Sequence, residues 1–128
     1  KMILRSDAGR YEAGSFNILG IAGLNAALGL LLEVGIDNIA ADLRSKREWL
    51  VGALLNKDFE VLCPESENGG GITSCWREGE DMKALGDKLM AEGIVVSVRG
   101  DRAGRDYLRF SPHFYNTQIE LERAVDLF

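Results

Sequence analysis

The stretch from Tyr107 to Thr117 constrains this chain more than any other. Side chains alternate over Tyr107-Leu108-Arg109-Phe110-Ser111. That pattern predicts a strand with Leu108 and Phe110 on one face and Tyr107, Arg109 and Ser111 on the other. Pro112 has no N–H to carry a ladder forward and marks the strand's end. Thr117-Gln118-Ile119-Glu120 is a capping box, in which the hydroxyl accepts from a free helix N–H and the carboxylate reaches back to the cap's own N–H. The apolar pair belongs in a core, so Arg109 projects from the opposite face, on a strand anchored by a capped helix. A guanidinium held in that way suits a ligand carboxylate, which it can grip through two parallel hydrogen bonds.

The remaining segments predict what that strand pairs with. Residues 59–62, 72–76 and 94–99 read as three more strands, and residues 81–91 as an amphipathic helix on Met82, Leu85 and Leu89. Glu65 to Gly71 is a polar hairpin turn; its glycines do not make a phosphate loop, because no Gly-Lys-Ser/Thr follows. The second half is then β-β-α-β-β-α, a small, mostly antiparallel four-stranded sheet with helices on one face. If 94–99 and 107–111 form a hairpin, Val96 and Val98 share the core face, while Ser97 and Arg99 share the face of Arg109. No carboxylate lies between the two arginines in that register. The plain alternative for Arg109 is a surface arginine paired with a nearby acid.

Two long helices precede the sheet. Asn17 can cap the first, over residues 18–34, whose apolar positions wrap most of the way round. Burial on several sides is expected, and its glycines suit close approach by a partner domain or subunit. Gly35 ends it. The second opens at Ile36 with Ile39, Ala40, Leu43, Leu50 and Leu54 at helical spacing. Asp42, Arg44, Lys46, Arg47 and Glu48 are expected on a solvated face. The fold class is therefore α+β.

A net charge of −5 argues against nucleic acid or an anionic membrane as a partner. Cys63 and Cys75 have neither zinc nor disulfide-framework spacing, so no metal site is expected and a reducing cytoplasm is the default. His113, the single histidine, has no second ligand or base beside it and suits packing or a turn.

The strand, Arg109, Ser-Pro-His-Phe-Tyr-Asn-Thr and the acidic helix together resemble the C-terminal end of class V aminotransferase-like enzymes. This pyridoxal-phosphate group includes cysteine desulfurases and isopenicillin N epimerase-like proteins. Arg10-Tyr11-Glu12-Ala13-Gly14-Ser15-Phe16-Asn17 is similar to that family's pre-helix segment. The resemblance implies the C-terminal small domain of a fold-type I enzyme over residues 18–128, with 1–17 leading from a large domain upstream. It implies that Arg109 binds the α-carboxylate of an amino acid or keto acid substrate and that Arg99 lies near it. It also implies that Gly14 and Ser15 contact the phosphate of pyridoxal 5′-phosphate in the neighbouring subunit of a homodimer. The family has Gly-Thr there, and serine keeps the hydroxyl.

The lysine that holds the cofactor is expected in the large domain, because none of Lys1, Lys46, Lys57, Lys83 and Lys88 has a matching context. No catalytic residue is expected in this chain. One branch of desulfurases carries its nucleophile at a cysteine between the positions of Arg99 and Arg109, and this sequence has none there. Desulfuration is thereby disfavoured, and transamination, epimerisation or elimination stays open. The rivals are a stand-alone α+β module binding a small carboxylate without catalysis, and an oligomerisation domain built on the first helix.

Overall fold

The computed structural model describes residues 3–12, 14–65, 67 and 69–128. Met2 of the first apolar run, Ala13 of the pre-helix segment, and Ser66 and Asn68 of the polar turn lie outside them, as does Lys1. The chain divides into two compact units, Lys1–Ile36 and Asp37–Phe128.

The first unit carries a short 3-10 turn, Ala8–Tyr11, and helix α1, Ile18–Val34. Asn17 caps α1 as expected, its side-chain oxygen accepting from the Gly20 N–H at 2.9 Å. Gly35, at φ +89°, closes it by donating to the Leu31 carbonyl. None of its residues is buried within this chain, and Leu19 and Leu32 are 85% and 72% exposed. Among the described residues, no single helix is long and apolar enough to cross a membrane.

The second unit holds α2 (Ile36–Leu55, which begins at the boundary), β1 (Glu60–Val61), β2 (Thr73–Trp76), α3 (Met82–Ala91), β3 (Ser97–Gly100), β4 (Asp106–Phe110) and α4 (Gln118–Asp126). The sheet is antiparallel throughout, in the order β1-β2-β4-β3. β2 and β3 are thus parallel to each other with β4 inserted between them, a split β-α-β unit closed by α3. Leu108, Phe110 and Cys75 point into one cluster with Leu50 and Leu54 of α2, Leu85 and Leu89 of α3, and Ala124 and Val125 of α4. Phe128 completes it against Phe59 and Phe110, with ring centroids 5.0 and 6.0 Å apart. Gly86 lets α3 close on the sheet, because a Cβ there would lie 2.8 Å from Val98 Cγ2.

Two expectations for the second unit change. Lys46 and Arg47 are not solvated: they are 7% and 4% exposed. Arg47 falls on the apolar stripe between Leu43 and Leu50, so the helix carries it inward. The third strand also starts later than its pattern suggests, at Ser97 rather than Ile94. The observed register would set Ile94 opposite Pro112, which has no N–H to donate, and the hairpin opens there.

Candidate functional site

β4 is flanked on both sides, so Arg109 stands in the middle of the sheet. It pairs with Ser74 of β2 and Ser97 of β3, giving the row Ser74–Arg109–Ser97 on the face away from the core. Arg109 is half-buried, and its Nε has no hydrogen-bond acceptor among the described residues. The two ion pairs among the described residues, Lys46–Asp42 and Arg77–Glu80, leave it unpaired.

Arg99 lies on the same face, opposite Tyr107 and therefore diagonal to Arg109. It is exposed, and its Nη1 donates to the neighbouring Val98 carbonyl at 3.1 Å. Tyr107 on this face is buried, its hydroxyl donating to Asp101 Oδ2 at 3.0 Å. Asp101 also accepts the Ala103 and Arg105 N–H groups and so winds residues 101–105 into a tight turn. Those bonds, the Arg105 N–H foremost, hold its carboxyl below the ordinary aspartate value.

A cavity of about 500 Å³ opens where β3 and β4 part. Arg109, Ser97, Ser111, Asn116, Glu120 and Arg123 supply its polar lining. Glu120, the one acid in that lining, is already engaged. Its Oε2 accepts the Thr117 N–H at 2.7 Å while its own N–H donates to Thr117 Oγ1 at 3.3 Å, the two bonds of the capping box. The Thr117 N–H, followed by the Asn116 amide, pulls the Glu120 carboxyl below its ordinary value. Arg123 Nη2 donates to the Glu92 carbonyl at 2.8 Å.

The turn after β4 is held from two sides. Asn116 Oδ1 accepts the His113 N–H at 2.9 Å. Lys46, reaching from α2, donates to the carbonyls of Phe114 and His113 at 3.2 and 3.4 Å. The His113 ring lies 4.8 Å from both the Phe114 and Tyr115 rings, in keeping with a packing role, although its buried Nδ1 has no partner among the described residues.

Gly14 and Ser15 belong to the other compact unit. Gly14 takes φ +98° in open space, so glycine is required by the backbone and not by crowding. Ser15 is exposed, and its hydroxyl has no hydrogen bond among the described residues. A free hydroxyl next to a left-handed glycine, just before a helix N-terminus, is a donor set that fits a phosphate oxygen. Of the lysines in the second unit, Lys46, Lys57 and Lys88 donate to backbone carbonyls and Lys83 is exposed on α3; none lines the Arg109 cavity. Cys75 is buried opposite Leu108, and burial pushes its thiol up to about 12, while Cys63 is exposed.

The alternation sets Ser97 on the face of Arg109, as observed, but does not reveal Ser74 beside it or the burial of Lys46 and Arg47. The stripe Ile39, Leu43, Arg47, Leu50, Leu54 contains the signal for Arg47.

The aminotransferase class-V family model matches residues 2–124. A probable cysteine desulfurase of Xylella fastidiosa is 30% identical over 125 residues, covering 91% of this chain and 30% of its own length. A cysteine desulfurase of Synechococcus elongatus is 33% identical over 133 residues, covering 95% of this chain and 21% of its own length. Among solved structures, the apo cysteine desulfurase of Thermococcus onnurineus matches with a TM-score of 0.87 at 21% identity, over 98% of this chain and 34% of that one. A cysteine desulfurase of Escherichia coli matches with a TM-score of 0.77 at 23% identity, over 91% of this chain and 31% of that one. The chain thus spans between about a fifth and about a third of the length of these proteins, and its fold is one they contain.

Proposed function

Because this chain belongs to the class V aminotransferase family, we propose that it forms the small domain of a pyridoxal-phosphate enzyme and holds the substrate's α-carboxylate through Arg109. The small domain comprises residues 18–128, and residues 1–17 link it to a large domain. The observation that carries this function is the half-buried guanidinium of Arg109, set mid-sheet with, among the described residues, no ion pair and no acceptor for its buried Nε. A cation is kept in such a place at a cost in desolvation, which an anionic ligand offsets. Arg99, exposed on the same face, adds positive potential that draws carboxylated substrates toward it.

Gly14 and Ser15 would hold the cofactor's phosphate, in a homodimer that of the neighbouring subunit. When bound, pyridoxal 5′-phosphate supplies an electron sink for charge developing at the substrate's α-carbon. This chain's own contribution would be orientation: Arg109 would fix the carboxylate, and with it the direction of the bonds at the α-carbon. The lysine that holds the cofactor lies in the large domain, so the isolated chain is inactive.

The relatives' names point toward desulfuration, but the chemistry of this segment points elsewhere. Residues 100–106 carry no cysteine, and their turn is wound tightly on Asp101. Cys75 is a buried thiol far from ionised at neutral pH. The reaction is one that needs no thiol on the β3–β4 turn: transamination, epimerisation or elimination.

The test is Arg109→Lys in the full-length enzyme. Lysine keeps the charge and loses the two-bond fork. A charge-assisted hydrogen bond contributes about 1.5–3 kcal/mol, so kcat/KM should fall by roughly ten- to a hundred-fold for substrates with an α-carboxylate. Amines lacking that group should be nearly unaffected. Equal losses for both, or a large drop in Tm, would make Arg109 a structural residue.

A further inference from the structure

We infer that Ser97 positions Arg109: its hydroxyl accepts the Arg109 Nε–H and leaves both Nη groups free for a carboxylate, an inference that rests on the carboxylate role proposed above. The starting point is the buried Nε–H with no acceptor. Buried donors nearly always find a partner, and one on a cation is the costliest to leave unmade. The acceptor must come from side chains flush with the sheet, because Nε sits only part-way along the arginine stem.

The register offers two such groups. Ser74 and Ser97 stand directly beside Arg109 on adjacent strands, where opposed Cβ atoms lie about 4.5–5.5 Å apart. Ser111, two residues on and just past the end of β4, is roughly 7 Å away by strand rise. Neither flanking hydroxyl makes a hydrogen bond among the described residues, so either can turn to another staggered rotamer without breaking one. The cavity separates them: Ser97 lines it together with Arg109, and Ser74 does not. Glu120, the acid in the same cavity, is held by its capping box and does not compete.

With Nε held by Ser97, the guanidinium plane is fixed along the stem and its far edge presents the two Nη groups. Without that bond the plane swings about its terminal torsions, and a two-bond grip requires the swing to be frozen on binding. Ser97 is therefore a positioning residue acting through Arg109, not a group that touches substrate.

The experiment follows the arginine Nε–Hε resonances of the isotopically labelled 128-residue chain. Arg109 is assigned by the signal that disappears in Arg109→Lys. Hydrogen exchange of that Hε with water is measured in the wild type, Ser97→Ala, Ser97→Thr and Ser74→Ala, and each is titrated with pyruvate, with propionamide as the uncharged control. Ser97→Ala should speed exchange, and raise the pyruvate concentration at half-saturation, each on the order of tenfold. Ser97→Thr, which keeps the hydroxyl on a β-branched strand residue, should restore both; Ser74→Ala should change neither. Unchanged exchange in Ser97→Ala, or the full effect in Ser74→Ala, overturns the assignment. If pyruvate binds through Arg109 but is indifferent to Ser97, the carboxylate role survives and the positioning role falls. If pyruvate moves nothing in the wild type, the carboxylate role fails, and the purpose assigned to Ser97 fails with it.

Discussion

Arg47 should be the costliest polar side chain to remove from this domain, and its worth can be worked from its bonds. It is 4% exposed. Its Nη1 donates to the Ile72 carbonyl at 2.9 Å and to Thr73 Oγ1 at 3.1 Å, and its Nη2 donates to the Cys63 carbonyl. Gly69 makes room for it, since a Cβ at that position would lie 1.9 Å from Arg47 Nε. Arg47→Met keeps most of the stem and deletes all three bonds. A hydrogen bond to a charged group contributes about 1.5–3 kcal/mol, but methionine also removes the cost of burying the charge, several kcal/mol in itself. The residues bearing the two carbonyls are exposed, so water can replace part of what is lost. The net loss should be about 2–3 kcal/mol, a large part of the roughly 5–15 kcal/mol that holds a domain together. Arg47→Lys, retaining the charge and a single donor head, should fall between.

Urea unfolding followed by the fluorescence of Trp49 and Trp76 measures this directly, with an unchanged m-value required for the comparison. Faster amide exchange at Thr73 and Ser74 in Arg47→Met would show the loss to be local to the start of β2. A loss below about 0.5 kcal/mol would mean that desolvation cancels the bonds, and Arg47 would then hold nothing.

Three further outcomes follow from the cysteines and from Ser15. Iodoacetamide should label Cys63 in the folded chain and reach Cys75 only after denaturation, because Cys75 is buried and its thiol is pushed up to about 12. That shift also sets a pH dependence: the Cys75 contribution is complete below about 9, where the unfolded thiol ionises, and declines toward about 12 at roughly 1.4 kcal/mol per pH unit. Cys75→Ala should flatten this alkaline decline, and equal slopes in the two proteins would refute the assignment. In the full-length enzyme, Ser15→Ala should weaken cofactor retention, and mixing it with subunits lacking the cofactor-holding lysine should restore activity. Verified hybrids that stay inactive would rule out a phosphate contact made across subunits.

Local chemistry made much of the second unit legible. The capping box of Thr117 and Glu120 needs only four consecutive residues, and both of its bonds form. The facing of Ser97 and Arg99 with Arg109 needs only period-two alternation, and the observed register keeps it. Charge alone sets Arg47 on a solvated face, but the spacing from Leu43 to Leu50 turns it inward. The late start of β3 depends on Pro112 lying opposite, a pairing that periodicity alone does not reveal. The row of serines around Arg109 joins three strands, two of them distant in sequence, so only the sheet order could assemble it.

The buried pair on α2 has a consequence for the candidate site. Arg47 ties α2 to Cys63, Ile72 and Thr73, at the entry to β2. Lys46, its neighbour in sequence, ties the same helical turn to the carbonyls of His113 and Phe114, just beyond the exit from β4. Thr73 and Phe110 are opposed in the β2–β4 ladder, one residue from the Ser74–Arg109 pair. Two adjacent cations thus brace both strands at the end of the sheet where Arg109 stands. A binding arginine has to be held within about 0.5 Å of its working position if both arms of its fork are to count. Hydrophobic residues at 46 and 47 would pack against the sheet but lose the bonds to Cys63, Ile72, Thr73, His113 and Phe114. They would not reach across to two loops at once, so the helix would pack against the sheet without fixing the ends of the strands that carry the guanidinium.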